Sequence, residues 1–423
     1  MDFRLKANRP HVPSVVRSGS AKREIGLNPK SKIENPKPPS MPAKRIHVLV
    51  VLGTRPEAIK LAPVIRELGR CRDQFQTRVC ITAQHRHLLE PILRWFRIPV
   101  HEDLDVMRPN QELCGLTALI LERFHEVLAR RRPDIVLVQG DTTTVMAASL
   151  AAFYHRVPVG HVEAGLRTLD RYSPFPEEIN RRLASQLASL HFAPTRWSRD
   201  NLLKEGIPRP RIVVTGNTVV DAFLETRDRV LRRPPAIPQL RGLKFGARKL
   251  IVVTAHRREN FGSGLTSICQ GILRLATQRE DIEIVFPVHP NPNVQKIVRP
   301  LLGGVERIHL IDPLDYPHFV WLLNSAYLAL SDSGGIQEEM PSLGRPALVM
   351  RENTERPEGV KAGVCKLVGT SADVIYRTVT QLLDDKRAYA RFARRRNPFG
   401  DGKAAQKIVA ALKDFSFKPS SYQ

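Results

Sequence analysis

The sequence predicts an α/β protein of two similar halves that face each other across a cleft. Short apolar runs alternate with helical segments along the chain, and one proline-rich basic stretch, 232–241, interrupts that alternation. Strands that alternate with helices form parallel sheets covered on both faces, and such sheets bind ligands beyond the carboxyl ends of their strands. The length of 423 residues also favours two domains, because single cores stop growing at roughly 250 to 300 residues.

Each half is predicted as a series of short buried strands. The first series covers 46–52, 78–82, 135–139, 157–162, 190–193 and 212–215. The second covers 250–254, 282–288, 308–311, 327–331, 347–350 and 364–368. Helical segments such as 56–70 and 113–132 lie between strands. We therefore expect an N-terminal domain over 44–215, a C-terminal domain over 216–400, and a closing segment, 401–423, whose helix returns to the first domain.

The first 43 residues are expected to form a disordered basic tail. They are rich in Pro, Ser, Lys and Arg and show little hydrophobic periodicity. Their low acid content faintly resembles a transit peptide, although no amphipathic helix is evident. A natural start at Met41 is the plainer alternative.

The formal net charge of +24 raises the question of a nucleic-acid partner. Residues 1–40 supply +6 of it, from nine Lys/Arg against three Asp/Glu, and much of the rest is arginine scattered through helices. No aromatic-studded basic sheet or recognition-helix signature accompanies this charge. A phosphorylated small substrate is therefore favoured over dedicated nucleic-acid binding.

Cysteine and histidine usage predicts neither a disulfide framework nor a metal site. The five cysteines are odd in number, widely spaced and without a Cys-x-x-Cys pair. This usage is typical of a reducing compartment. No apolar run approaches the roughly 18 to 20 residues of a membrane span. We expect a soluble, cytoplasmic protein with no metal and no cofactor.

The segment 160–182 concentrates acids and arginines after a predicted buried strand. Glu163 ends that strand, and Pro176 is predicted at the favoured first position of a helix. Glu177 and Arg181 lie four residues apart and so share one face of that helix. Two carboxylates beside an arginine suit proton transfer next to an anion, although a surface loop with an ordinary helical ion pair has the same pattern.

Two glycine-containing strand ends are candidate phosphate sites. Ser333, Gly334 and Gly335 follow strand 327–331 and lead directly into a helix, whose free amides attract anions. A serine-capped glycine turn also simply begins many helices. After the first strand, Arg55 and Lys60 flank a second helix start and could neutralise a diphosphate, although each alone reads as a surface cation. The Walker pattern is absent there.

Polar side chains end three more predicted strands. Asp141 follows strand 135–139 and is either a functional acid or a helix cap. His256 and His289 follow two strands of the second series, at equivalent positions. Gathered in one cleft, such groups would handle protons with pKa values tuned by burial. Neither a Gly-x-Ser-x-Gly elbow nor a GxGxxG fingerprint is present, which disfavours a serine hydrolase and an NAD enzyme.

Seven motifs follow one another along the chain: GTRPEAIK at 53–60, GDTTT at 140–144, GHVEAGLR at 160–167, PEEINR at 176–181, HRREN at 256–260, DSGGIQEE at 332–339 and TERPE at 354–358. Together and in this order they resemble the bacterial non-hydrolysing UDP-N-acetylglucosamine 2-epimerases. The likeness extends from about residue 46 to segment 397–402. It implies a glycosyltransferase-B-like fold of two Rossmann-like domains, with a UDP-sugar in the cleft. It also implies reversible conversion of UDP-GlcNAc to UDP-ManNAc without metal or redox cofactor, and a homodimer.

The resemblance also assigns roles to residues at the matching motif positions. The implied catalytic set is Asp141, Glu163, Glu177 and His256, supported by Arg181. The implied substrate-binding set is Ser333, Gly334 and Gly335 for the diphosphate, Glu339 for the ribose, Phe319 for the uracil, and Arg55, Lys60, His289 and Arg356 around nucleotide and sugar. Gln84, His85 and Gln111 match only partly the residues with which some relatives bind a second, activating UDP-GlcNAc.

Three alternatives remain from the sequence alone. A sugar transferase of the same fold class would use the same Ser-Gly-Gly helix start. A hydrolysing epimerase would release free N-acetylmannosamine and UDP. A binder of nucleic acid or of an anionic surface would explain the arginine excess but not the acids at strand ends.

Overall fold

The computed structural model describes residues 45–83, 86–108 and 111–416. Within these ranges the first sheet has seven parallel strands in the order β3-β2-β1-β4-β5-β6-β7. The strands are β1 (Ile46–Leu52), β2 (Phe75–Ile81), β3 (Glu102–Asp103), β4 (Ile135–Gln139), β5 (Val159–Val162), β6 (Leu190–Ala193) and β7 (Ile212–Val214). Their helices are α1 (Arg55–Arg70), α2 (Arg86–Phe96), α3 (Leu113–Arg131), α4 (Thr143–Tyr154), α5 (Glu177–Leu187), α6 (Arg196–Lys204) and α7 (Thr218–Arg232).

The second sheet repeats this arrangement with six parallel strands among the described residues, in the order β10-β9-β8-β11-β12-β13. The strands are β8 (Lys249–Thr254), β9 (Ile282–Pro287), β10 (Ile308–Ile311), β11 (Leu328–Ser331), β12 (Ala347–Val349) and β13 (Cys365–Leu367). The helices are α8 (Ser263–Gln278), α9 (Pro292–Leu302), α10 (Tyr316–Ser325), α11 (Gly334–Glu339), α12 (Pro357–Lys361), α13 (Ala372–Asp384), α14 (Lys386–Ala393) and α15 (Ala404–Asp414).

The strand order of both sheets confirms the predicted fold class of two Rossmann-like α/β domains. In each sheet the strand order reverses beside the first strand, between β1 and β4 and between β8 and β11. Ligands of such sheets bind at this reversal, beyond the carboxyl ends of the strands. The central strands are buried apolar runs, as β4 illustrates with no exposed residue, because helices cover both faces of a parallel sheet.

Helix α7 joins the two halves. It follows the last strand of the first sheet and packs against α1 on one side and against α10 and α11 on the other. Thr195, after β6, donates a hydrogen bond to the carboxylate of Glu358 on α12. The Lys361 ammonium lies 4.1 Å from the centroid of the Trp197 ring, on α6. The two halves are therefore in direct contact.

Eleven of the twelve predicted strands agree with the structure to within two residues at each end, and the strand predicted at 78–82 begins three residues earlier, at Phe75. The edge strand β3 was not predicted, because two residues carry no periodicity. The prediction for Pro176 was wrong: α5 begins at Glu177, and Pro176 precedes it as the cap residue.

The domain boundaries remain predictions, and residues 1–43 lie outside the described ranges. Helix α15 packs against α1 and α7.

No helix in the described part of the chain is long and apolar enough to span a membrane.

Candidate active site

The end of β1 and the start of α4 are fixed to each other through Glu57. Its carboxylate accepts hydrogen bonds from the backbone N–H groups of Gly53 at 2.8 Å and Thr54 at 2.6 Å. The hydroxyl of Thr142, which caps α4, donates to the other carboxylate oxygen at 2.7 Å. The two strand ends that border the reversal of the first sheet therefore form one rigid unit.

Gly53 is required at this junction by close packing. A Cβ atom there would lie 2.4 Å from the hydroxyl oxygens of both Thr144 and Thr82. We expect Gly53→Ala to lower the free energy of unfolding by about 1 to 3 kcal/mol, because neither neighbour can withdraw without disturbing the strand ends. Gly69→Ala, on the same helix α1 with no atom within 4 Å of the added methyl group, should raise it by about 0.5 kcal/mol. Urea unfolding of both variants tests this, and equal effects would contradict it.

Glu163 is the most constrained predicted site residue. Its backbone adopts φ 65°, in the left-handed region that a glutamate seldom occupies, and its side chain is 3% exposed. Lys60 donates to Oε2 at 2.5 Å, and the Gln139 amide donates to the same oxygen. On Oε1, the Asn217 amide donates at 3.1 Å and an Arg356 nitrogen lies at 3.7 Å. Arg356 comes from the second half, so this carboxylate connects both domains.

The electrostatics around Glu163 keep it ionised. Burial by itself would raise the pKa of Glu163, but the positive charges of Lys60 and Arg356, with the hydrogen bonds from Lys60 and Asn217, lower it overall. The neighbouring carboxyl Glu338 behaves oppositely, because burial raises its pKa more than Arg356 lowers it. Two adjacent carboxyls with pKa values pushed apart are typical of acid/base sites.

Asp141 is held by an arginine and does not cap α4. Thr142 performs the capping, accepting from the Val145 N–H at 3.3 Å. The Asp141 carboxylate instead accepts from Arg181 at 2.6 Å. Asp141 keeps 29% of its side chain exposed, so it can still meet a ligand.

Arg181 uses Glu178 as its second partner. The Arg181 guanidinium donates to Glu178 at 3.3 Å. The fully buried Glu178 carboxylate also accepts from the backbone N–H groups of Thr168 at 3.0 Å and Leu169 at 3.3 Å. Glu178 was not predicted as a site residue, because one residue of a Glu-Glu pair at a helix start gives no signal of burial.

One carboxylate oxygen of Glu177 has no hydrogen-bond partner among the described residues. The residue is half-buried, yet its Oε2 atom is inaccessible to solvent and has no hydrogen-bond partner within the part of the chain that the structure describes. Buried polar atoms are normally paired. An oxygen of this kind is suited to accept from a bound ligand.

In the second half, Asp332 orients His256. One Asp332 oxygen accepts from the backbone N–H groups of His256 and Arg257, both at 2.8 Å, and the other lies 3.1 Å from His256 Nδ1. Burial raises the pKa of Asp332, but the charge of the nearby His256 ring and the hydrogen bonds from the backbone N–H groups of Arg257 and His256 lower it overall. The His256 side chain remains 38% exposed, so its ring is free to meet a ligand.

His289 lies against His256, with the two rings stacked at 5.6 Å and 19°. Burial lowers the pKa of His289, and the positive charges of His256 and Arg55 lower it further. Arg55 begins helix α1 of the first half. The two histidines from equivalent strand ends thus meet each other near a cation of the opposite domain.

The Ser-Gly-Gly turn begins α11 under the guanidinium of Arg356. A Cβ atom at Gly334 would lie 2.5 Å from Arg356 Nη1, so glycine is required there. At Gly335 the nearest atom is 3.9 Å from such a Cβ, which leaves that side open. The Ser333 N–H donates to Ser331 at 2.9 Å. The Arg356 guanidinium therefore lies next to the accessible Gly335 at the start of α11.

Arg356 contacts the carboxylates of Glu163, Glu338 and Glu355. It is 8% exposed and donates to Glu338 and, at 2.6 Å, to Glu355. Burial would raise the pKa of Glu355, but Arg356 and Arg351 hold it well below its usual range. Glu339, the next residue along α11, is buried beside Glu338, and burial followed by that charge raises its pKa to about 7.

The remaining predicted residues are less informative. Phe319 lies on α10, partly buried against the core. Gln111 is half-buried just before α3. Gln84 and His85 fall outside the described residues. The second-ligand site therefore stays a prediction.

Two further residues in contact with Glu163 were not predicted. Gln139 is the last residue of β4, and Asn217 caps α7. Both are buried. Their sequence signals, a polar residue ending an apolar strand and Gly-Asn before a helix, are also those of ordinary turns.

A comparison with known proteins gives a consistent result. The profile described as UDP-N-acetylglucosamine 2-epimerase matches residues 68–413. The UDP-N-acetylglucosamine 2-epimerase of Yersinia pestis is 54% identical over 370 residues, 87% of this chain and 98% of the relative. That of Escherichia coli (strain K12) is 52% identical over 370 residues, with the same coverage of both chains.

Solved structures agree. The UDP-GlcNAc 2-epimerase from Neisseria meningitidis, bound to UDP-GlcNAc, superposes with a TM-score of 0.82 at 48% identity, over 88% of this chain and 100% of that one. The Methanocaldococcus jannaschii UDP-GlcNAc 2-epimerase, in complex with UDP-GlcNAc and UDP, gives 0.74 at 34% identity, over 88% and 100%. The predicted family is thus confirmed: this chain belongs to the UDP-N-acetylglucosamine 2-epimerase family.

Proposed function

We propose that this protein interconverts UDP-N-acetylglucosamine and UDP-N-acetylmannosamine reversibly, without releasing the free sugar. The observation that carries the proposal is the joining of Glu163, at the end of β5, to Arg356 of the opposite domain, 3.7 Å away. Arg356 also covers the Ser-Gly-Gly turn. Glu163 of one domain, a carboxylate that can transfer protons, therefore lies beside Arg356 and the Ser-Gly-Gly turn of the other domain, which together suit an anion.

The proposed reaction proceeds by anti elimination and re-addition. A base removes the proton from sugar C2, the C2–H electron pair forms the C1–C2 double bond, and the C1–O bond breaks with its electrons leaving on UDP. The products held in the cleft are 2-acetamidoglucal and UDP. UDP then re-forms the C1–O bond while a proton is delivered to the opposite face of C2. Atoms and charge balance without a further reactant.

The cations and the turn serve the leaving UDP. Developing charge on a departing diphosphate is stabilised by preorganised donors. Arg55, Lys60 and Arg356 supply positive charge, while Ser333, Gly334 and Gly335 supply a backbone that can be approached closely. We assign the uracil to Phe319 and the adjoining nucleotide and sugar surface to His289.

Proton transfer on two faces of C2 requires at least two acid/base groups. Asp141, Glu163 and Glu177 come from three segments of the first domain, and His256 comes from the second. Arg181 holds Asp141 at 2.6 Å, whereas Glu177 retains an unpaired oxygen. We assign these four residues to the proton transfers and Arg181 to their support.

Product identity and bond cleavage test the proposal together. UDP-GlcNAc carrying oxygen-18 in the C1–O bridge should yield UDP-ManNAc, and the label should scramble into non-bridging β-phosphate positions of recovered substrate as the C1–O bond breaks and re-forms. Free N-acetylmannosamine as the main product would identify a hydrolysing enzyme instead. An unscrambled label, with neither UDP nor 2-acetamidoglucal in rapidly quenched reactions while UDP-ManNAc forms, would exclude elimination of UDP.

Substrate binding is expected to depend on pH through Glu339. Ribose hydroxyls donate to an ionised carboxylate, so binding favours the deprotonated form of a group whose pKa is about 7. Affinity should therefore rise as pH increases through about 7 and fall by up to about tenfold per pH unit below it. Calorimetry with UDP, which carries the same ribose and is not turned over alone, measures this, and Glu339→Gln should flatten the dependence. An unchanged slope in Glu339→Gln would exclude Glu339.

We further propose a cytoplasmic homodimer that supplies N-acetylmannosamine precursors for cell-surface polysaccharide. Free thiols at all five cysteines fit a reducing compartment. Large apolar side chains lie exposed at the end of α4, where Phe153 is 57% and Tyr154 69% exposed, and on α5, where Leu183 is 46% exposed. Such a patch suits an interface. Light scattering should give twice the chain mass of 47.7 kDa, and a monomer mass would contradict the dimer.

A further inference from the structure

We propose that Asn217 is a positioning residue for Glu163. Its carboxamide holds the Glu163 and Glu338 carboxylates side by side and so fixes the direction from which Glu163 meets the substrate. The inference deepens the proposed function and rests on it, because it assumes that Glu163 acts at sugar C2. Asn217 itself does not touch the reacting atoms.

The orientation of the Asn217 amide follows from its own contacts. Asn217 is 1% exposed and caps α7, where its Oδ1 accepts from the Val219 N–H at 3.1 Å. The amide nitrogen must therefore face the other way. It donates to Glu163 Oε1 at 3.1 Å and to Glu338 Oε2. One side chain thus caps the helix that joins the two halves and bonds a carboxylate of each half.

The backbone around Asn217 is equally constrained. The Asn217 N–H donates to the Phe399 carbonyl at 2.6 Å. Gly216 has φ 91°, and a Cβ there would lie 3.2 Å from Gly400 Cα. Asn397, in the same segment, donates to the Glu338 carbonyl at 2.7 Å. Segment 397–400 therefore holds both Asn217 and the backbone of one of its carboxylate partners.

The uncharged amide donors to Glu163 differ in one respect from the cations around it, Lys60 and Arg356: a bound diphosphate does not attract them. Charged groups face Glu163 from α1 (Lys60), from α11 (Glu338) and from the residue before α12 (Arg356). His161, on β5, is uncharged near neutral pH, because burial lowers its pKa to about 3.

A bound diphosphate competes for both Lys60 and Arg356. The Gln139 and Asn217 amides carry no charge to attract it. They can therefore hold Glu163 through the whole cycle, and Asn217 also bonds Glu338 of the second domain.

Two substitutions separate positioning from helix capping. Asn217→Ser and Asn217→Asp both keep a good N-cap residue and remove the amide donor. We expect Asn217→Ser to lower kcat by about 10-fold to 100-fold with KM within about threefold. Asn217→Asp should lower kcat further, because it places a third carboxylate beside two. The matched control is Asp385→Ser, which changes the exposed N-cap of α14 and should leave kcat unchanged.

The pH profile gives a readout that a purely structural role would not move. Losing a donor to the ionised form raises the pKa of Glu163, so the acid limb of kcat should shift to higher pH in Asn217→Ser. This profile is measured at saturating UDP-GlcNAc, so that the dependence of binding on Glu339 does not contribute. Carboxyl carbon-13 NMR, assigned with Glu163→Gln, should show the same rise without any turnover. A wild-type kcat with an unmoved limb, or a loss of activity with the Glu163 pKa unchanged, would overturn the proposal. Wild-type protein that fails to convert UDP-GlcNAc would refute the proposed function, while the NMR result would still decide the role of Asn217.

Discussion

Replacing Asp141 by asparagine is expected to lower kcat for UDP-GlcNAc by at least about 100-fold, while the affinity for UDP stays within about threefold. Asparagine has nearly the same shape and still accepts a hydrogen bond from Arg181, which lies 2.6 Å away. It cannot take up a proton. Because Thr142 and not Asp141 caps α4, the substitution should leave the fold intact, and the loss can be attributed to chemistry.

Steady-state kinetics and UDP calorimetry on the same preparation measure both quantities. Asp373→Asn is the matched control, because that carboxylate pairs with Arg274 on the surface and its side chain is 64% exposed. Its kcat should equal that of the wild type. Near-normal turnover in Asp141→Asn would remove Asp141 from the catalytic set. A large loss of UDP affinity would reassign it to substrate binding.

Replacing Arg356 by methionine is expected to have the largest effect on stability. Glu338 and Glu355 would each lose a buried hydrogen-bonded partner, and Glu163 a nearby positive charge. Breaking a buried ion pair by removing one partner costs about 3 to 5 kcal/mol, because the remaining charge stays buried without compensation. UDP binding should be lost with it, since Arg356 also covers Gly334.

Arg279→Met provides the comparison for the same chemical change. Arg279 bonds Asp281 and Asp384 at 2.8 Å, but both partners are about half exposed, so the cost should be about 0 to 1 kcal/mol. Thermal and urea unfolding measure the difference between the two variants. Equal costs would mean that the network around Arg356 is open to water, contrary to its burial.

The arrangement of predicted residues follows from where parallel strands end. Asp141, Glu163 and His256 all stand at the carboxyl end of an apolar strand. The strand pattern could be read from the sequence, because buried parallel strands are short apolar runs between helices. Gly334 and Gly335 were recognised for a similar reason, since glycine after a strand allows a close approach to the backbone.

Partners of these residues could not be read in the same way. The contact of Glu163 with Arg356 joins two domains, and no periodicity within either one encodes it. The neighbours Glu177 and Glu178 are identical in type, yet Glu178 accepts four hydrogen bonds, whereas Glu177 keeps an oxygen without a partner among the described residues. The resemblance placed both in one motif without distinguishing them.

Some errors have a local physical cause. Pro176 was expected inside α5, since proline is favoured at the first helical position, but its φ of -91° and ψ of 9° place it just outside. Asn217 reads as an ordinary helix cap, and it is one. Its amide also donates to two carboxylates, Glu163 and Glu338. Both are distant from Asn217 in sequence, so this contact could not be predicted.

Proton exchange at sugar C2 tests the central claim most directly. The wild-type protein incubated with UDP-GlcNAc in heavy water and followed by proton NMR should form UDP-ManNAc with deuterium at C2. Deuterium should also enter recovered UDP-GlcNAc, because the reaction is reversible and the proton is returned from solvent-exchanging groups. UDP-ManNAc that keeps its original C2 proton, or no change in UDP-GlcNAc at all, would contradict the account.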